Sequence, residues 1–113
     1  MAVTNWDHAK MKLNVDACKV PVIVEFYMPR CVPCTQLAVT LEKLADEFKN
    51  RAVFGRCRAD EYLGDFPIST VPTTVINVNG AVLTVLQGMV SEEKLREEVE
   101  QAIETMTGES EDD

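Results

Sequence analysis

The sequence predicts a single α/β domain, a central mixed sheet flanked by helices on both faces. Three observations carry this. Residues 20–28 are a run of β-branched and aromatic residues, followed by a helical pattern over residues 34–49 and a second apolar run over residues 52–59. That is the order of a β-α-β unit. Residues 73–78 and 81–86 flank Asn79-Gly80, the dipeptide that best suits a two-residue type I′ hairpin turn. Finally, Ser91 with Glu92 and Glu93 behind it opens a last helical pattern.

The elements follow in order. At the start, Thr4 is expected to cap a short helix with Asp7 in its first turn, and Trp6, Ala9 and Leu13 recur at helical spacing. Residues 20–28 are apolar on both alternating sets of positions, as expected of a central strand covered on both sides. Pro29 ends that strand. Leu37, Leu41, Leu44, Ala45 and Phe48 then mark one face of the next helix. Residues 60–69 contain Gly64 and Pro67 and have room for a turn or two of helix. After the hairpin, Gly88 closes the second strand, and Leu95, Val99, Ala102 and Ile103 form the buried face of the last helix. The domain is expected to span residues 1–106, with residues 107–113 an acidic, disordered tail.

A chain of 113 residues, 46% hydrophobic and 27% charged, can bury one core without staples. The formal net charge is −8, and four of the nineteen acidic residues lie in the last seven positions. An acidic chain repels phosphate, which argues against nucleic acid and anionic membrane surfaces as partners. The longest apolar stretch, residues 21–28, is far too short to span a bilayer and contains Glu25. The first residues have neither a basic flank nor an apolar core of a leader peptide. The expected location is therefore cytoplasmic, or the form is a mature one.

Four cysteines are present, and their spacing is uneven. Cys31 and Cys34 form a C-x-x-C pair, whereas Cys18 and Cys57 stand alone, which fits a reducing compartment better than a disulfide scaffold. The pair lies where a strand gives way to a helix. There, free N–H groups and the helix dipole stabilise a thiolate on Cys31, and Cys34 lies one turn further in. An outer sulfur can attack a disulfide and an inner one can resolve the mixed disulfide. Pro33 falls in the first turn, where its missing N–H is tolerated. A zinc site of this kind needs a second ligand pair, and His8, Cys18 and Cys57 lie on separate elements. A metal or cluster shared between two subunits remains the competing reading.

Residues 24–34 (Val-Glu-Phe-Tyr-Met-Pro-Arg-Cys-Val-Pro-Cys), then Val71-Pro72-Thr73, Asn79-Gly80 and Gly88, resemble the thioredoxin family in the same order over nearly the whole chain. The resemblance implies the thioredoxin fold and a protein-disulfide reductase in which Cys31 attacks and Cys34 resolves. It implies disulfide-containing target proteins, a thioredoxin-reductase-like electron donor, a monomer, and no bound cofactor or metal. Glu25 takes the place of a buried aspartate that exchanges protons with the inner cysteine. A carboxylate mid-strand is costly unless partnered or protonated, and Arg56 on the neighbouring strand is its expected partner. A buried structural ion pair is the plainer reading of the same two residues. Pro72 is implied to follow a cis bond beside the cysteines, with Val71 offering its backbone to an extended substrate and Gly88 and Met89 on an apolar rim.

Two departures fall next to the sulfurs. Arg30 stands where the family usually has Trp, and Val32-Pro33 where it usually has Gly-Pro. Arg30 is expected either to lower the Cys31 thiol pKa or to point away into solvent, and Val32 to add bulk beside that sulfur. Cys57 is expected to be a small buried hydrophobe, and Cys18 to be exposed. The alternatives are a thioredoxin-like binding module or adaptor without turnover, and an oxidase- or isomerase-leaning member of the same fold.

Overall fold

In the computed structural model, which describes residues 2–65 and 67–108, the element order is β1 (Thr4–Trp6), α1 (His8–Ala17), β2 (Val22–Tyr27), α2 (Val32–Glu47) and β3 (Val53–Arg58), continuing with β4 (Thr73–Val78), β5 (Ala81–Gln87) and α3 (Glu92–Thr107). A single 3₁₀ turn at Ala59–Glu61 follows β3. The sheet runs β1-β3-β2-β4-β5. β1, β3 and β2 are parallel, β4 runs antiparallel to β2, and β5 antiparallel to β4. This is the mixed sheet expected from the sequence, and β2 is its middle strand.

Alternation along β2 divides the core. Ile23 joins Leu37, Leu41, Leu44, Phe48, Leu95 and Val99 under α2 and α3. Val22, Val24 and Phe26 face the opposite way and pack with Met11 and Val15 of α1. The helical spacing read for α2 is the buried spacing found, since Leu37, Leu41, Leu44, Ala45 and Phe48 are all buried. The hairpin also forms as expected. Asn79 (φ 54°) and Gly80 (φ 80°) both occupy the left-handed region that a type I′ turn requires.

The chain start differs from the expectation. Thr4–Trp6 is a strand paired in parallel with β3, and the helix begins after it, with Asp7 as its N-cap accepting from the Lys10 N–H at 2.8 Å. The buried face of α1 is Met11 and Val15, while Leu13 is 67% exposed. The reason lies in β3. Its outer edge offers ladder groups to a partner, and Gly55 leaves a gap into which the Trp6 ring packs, so closely that any Cβ at position 55 would strike the ring. Burial of an indole outweighs weak local helix preference over three residues. At the other end, α3 continues through Thr107 and closes on Gly108 (φ 72°), one residue beyond the expected boundary. The rest of the expected tail, residues 109–113, lies outside the described residues.

Gly55→Ala should therefore displace the Trp6 ring and destabilise the fold by about 1–3 kcal/mol. Urea unfolding followed by Trp6 fluorescence measures this, and an unchanged midpoint would refute the packing argument.

Candidate active site

The carboxyl end of β2 leads through Pro29 and Arg30 (φ 63°) directly into the first turn of α2. Cys31 is the N-cap of that helix, with extended backbone (φ −96°, ψ 103°), and its Sγ accepts a hydrogen bond from the Cys34 N–H at 3.2 Å. Such a cap normally falls to Ser or Asp, whose oxygen satisfies a free helix N–H. Here sulfur takes that role, and the same N–H and dipole favour its anionic form. Pro33 lies within the first two helical positions and removes no intrahelical bond. Cys31 and Cys34 are joined as a disulfide, with Cα atoms 5.2 Å apart. Cys34 is 1% exposed and Cys31 is half-buried, so Cys31 is the more accessible residue of the pair.

β4 brings in the second part of the site. Phe26 pairs with Thr73, so Pro72 falls opposite Tyr27 at the end of β2 that feeds the cysteines. The Val71–Pro72 peptide is cis. The Gly88 N–H donates to the Pro72 carbonyl at 2.7 Å, which holds the end of β5 against the start of β4. Met89 follows and is exposed, as is Val32 at the start of α2. Arg30 is exposed and makes no ion pair among the described residues.

Glu25 is fully buried on the α2/α3 side of β2. Arg56 is its partner in the β2–β3 register, and Arg56 Nε lies 2.8 Å from Glu25 Oε1. Burial pushes the carboxyl up to about 7, and the Arg56 cation and its hydrogen bond only partly oppose that rise. A carboxyl poised there can take or give a proton near neutral pH. The guanidinium also stacks on the Tyr27 ring, 3.9 Å from its centroid. The sequence reading missed Tyr27. Nothing local marks Tyr27; its place follows from the β2–β3 pairing, in which it stands two positions beyond Glu25, the residue opposite Arg56.

The remaining cysteines lie away from this arrangement. Cys57 is buried on the α1 side, and burial pushes its thiol up to about 11, with Glu61, Asp7 and Asp60 adding to the rise. Cys18 is partly buried at the end of α1, ahead of β2, its Sγ 4.0 Å from Asn14 Oδ1. Among the described residues no three His, Cys, Asp or Glu side chains are grouped to hold a metal ion.

The family model described as Thioredoxin matches residues 2–101. A thioredoxin of Haemophilus influenzae is 25% identical over 104 residues, covering 89% of this chain and 94% of that protein. A thioredoxin of Buchnera aphidicola is 31% identical over 84 residues, 72% of this chain and 78% of the relative. One from Chlorobaculum thiosulfatiphilum is 27% identical over 85 residues, 73% and 79% of the two chains.

The raised Glu25 pKa has a thermodynamic sign. The folded state holds this proton more tightly than the unfolded chain, so its contribution to stability is complete below about pH 4.5 and is lost as pH rises through about 7. Between pH 4.5 and 8 the oxidised protein should lose about 3 kcal/mol relative to Glu25→Gln, measured by urea unfolding of both at each pH. Parallel pH profiles would refute the assignment.

Proposed function

Because the chain belongs to the thioredoxin family and is a thiol–disulfide oxidoreductase, we propose that Cys31 is the attacking sulfur, Cys34 the resolving one and Glu25 the base that serves it. One observation carries this reading: Cys31 is a partly exposed residue at a helix N-cap whose sulfur accepts from the N–H of a buried Cys34.

The reaction starts from the dithiol. The Cys31 thiolate attacks one sulfur of a target disulfide. That S–S bond breaks, a Cys31–target disulfide forms, and the departing target sulfur takes up a proton. The Cys34 thiol then gives its proton to the Glu25 carboxylate and attacks the Cys31 sulfur. The second target sulfur leaves, the Cys31–Cys34 disulfide closes, and two electrons have passed to the target. A pKa near 7 suits Glu25 to receive this proton and later release it. Arg56 holds the carboxyl in place and offsets its burial, with Tyr27 covering the guanidinium.

Target segments are read as lying along Val71 and Pro72, with Gly88 and Met89 on one side and Val32 and Pro33 on the other. The register that sets Pro72 at the carboxyl end of β2 supports this. Arg30 is read as a cation beside Cys31 that favours its thiolate. Family membership implies disulfide-containing targets and an electron-donating reductase. A thioredoxin-reductase-like donor, a monomer without bound cofactor, and a reducing cytoplasmic location complete the reading. The unpaired Cys18 and Cys57 and the acidic charge support it, the charge also disfavouring nucleic acid and membrane partners. No helix among the described residues is long and apolar enough to cross a membrane.

In an insulin-reduction assay, Cys34→Ser should lose turnover and accumulate a mixed disulfide on Cys31 visible by mass spectrometry, whereas Cys31→Ser should trap none. Turnover retained by Cys34→Ser would overturn the dithiol mechanism. Bound metal in the purified protein would favour the subunit-bridging alternative instead. With the wild type, the rate should rise with pH through about 7 as Glu25 ionises. Glu25→Gln should lose that step and run about 10²-fold slower at neutral pH; an unchanged profile removes Glu25 from the proton path.

A further inference from the structure

Three paired positions form one row across the sheet. Arg56 stands opposite Glu25 in the β2–β3 ladder, and Thr74 stands opposite Glu25 in the β2–β4 ladder. Two residues along the same strands, Ile23 pairs with Ile76, and both lie in the core beneath α2 and α3, so Glu25 and Thr74 share that face. Both are fully buried. Arg56 occupies Glu25 Oε1, while Glu25 Oε2 and Thr74 Oγ1 have no hydrogen-bond partner among the described residues. The next position in the row beyond Thr74 is Leu86, which has no polar atom to offer. Buried polar atoms rarely go unpaired, and here two of them stand on facing residues.

We propose that the Thr74 hydroxyl is the second hydrogen-bond partner of Glu25 and sets its proton affinity. Facing residues of an antiparallel pair have Cβ atoms about 4.5–5.5 Å apart, a gap that a threonine hydroxyl and a glutamate carboxyl close by χ rotation. A hydroxyl suits both states of the acid. It donates to the ionised Oε2 and accepts from the protonated one, whereas the Arg56 guanidinium can only donate. Thr74 is thus a positioning residue, and its effect on turnover rests on the reading of Glu25 as the base. The other groups packed around the carboxyl are few. β3 supplies the Arg56 cation and β2 the Tyr27 ring stacked on it. From the helices on that face come the apolar side chains Leu37 and Leu41 of α2 and Leu95, Val99 and Ala102 of α3.

The test is an NMR titration of the ¹³C-labelled Glu25 carboxyl in the oxidised protein, for the wild type, Thr74→Val and Thr74→Ser. Valine keeps the β-branched shape and removes both bonds, of which the one to the charged carboxylate is the stronger, so the carboxyl should hold its proton about tenfold more tightly and titrate about one pH unit higher. Serine restores the hydroxyl and should bring the titration back to the wild-type midpoint. An unmoved midpoint in Thr74→Val, or equal movement in both variants, would overturn the proposal. The pH profile of insulin reduction separates it from the reading beneath it. A midpoint that moves while the rate profile does not upholds the Thr74 bond and leaves Glu25 without its role as base.

Discussion

Strand β2 is hydrogen-bonded along both edges and covered on both faces, and in its middle it carries a carboxyl group. A charge in such a place has no water to solvate it, so the surrounding residues must either pair with it or let it keep a proton. This molecule does some of each. Arg56 comes from the adjacent strand to hold one oxygen, yet burial still lifts the carboxyl to about 7. A stronger ion pair would keep Glu25 ionised and a drier one would keep it protonated. The balance between them makes the group exchangeable near neutral pH.

That same strand delivers the cysteines. Its carboxyl end turns through Pro29 and Arg30 into α2, so the sulfur of Cys31 caps a helix whose other end is anchored by Leu41, Leu44 and Phe48 in the core. Rigid anchoring matters because sulfur exchange requires the two thiols to approach and separate without the helix moving. The antiparallel pairing of β4 brings Pro72 to the same end, and the Gly88–Pro72 hydrogen bond secures β5 there. The buried carboxyl, the cysteine pair and the cis Val71–Pro72 peptide are therefore placed by the hydrogen-bond register of three neighbouring strands.

Much of this was legible in the sequence, for identifiable reasons. The α2 face, the hairpin turn and the caps at Cys31 and Ser91 depend on local periodicity and local backbone conformation, and each took the expected place. The chain start was misread because its signal is not local. Trp6 lies in a strand paired with β3, and Gly55, far along the chain, leaves the room its indole fills. Tyr27 and Thr74 were passed over for a related reason, since their importance comes from what lies across the ladder, on β3 for one and on β2 for the other.

By itself the sequence determined the class of chemistry and the elements that bear it. A C-x-x-C pair between a two-faced apolar strand and an amphipathic helix leaves little choice about where the sulfurs go, because helix capping and strand burial act over a few residues. The sequence also pointed to Arg56 as the partner of Glu25, but only the tertiary structure decided how far that partner offsets burial. Register set Arg56 on one side of Glu25 and Thr74 on the other, and two-sided coverage removed the water that would have left its pKa ordinary. Electrostatics in a protein depends on what surrounds a charge in space, and that is assembled from strands distant in the chain.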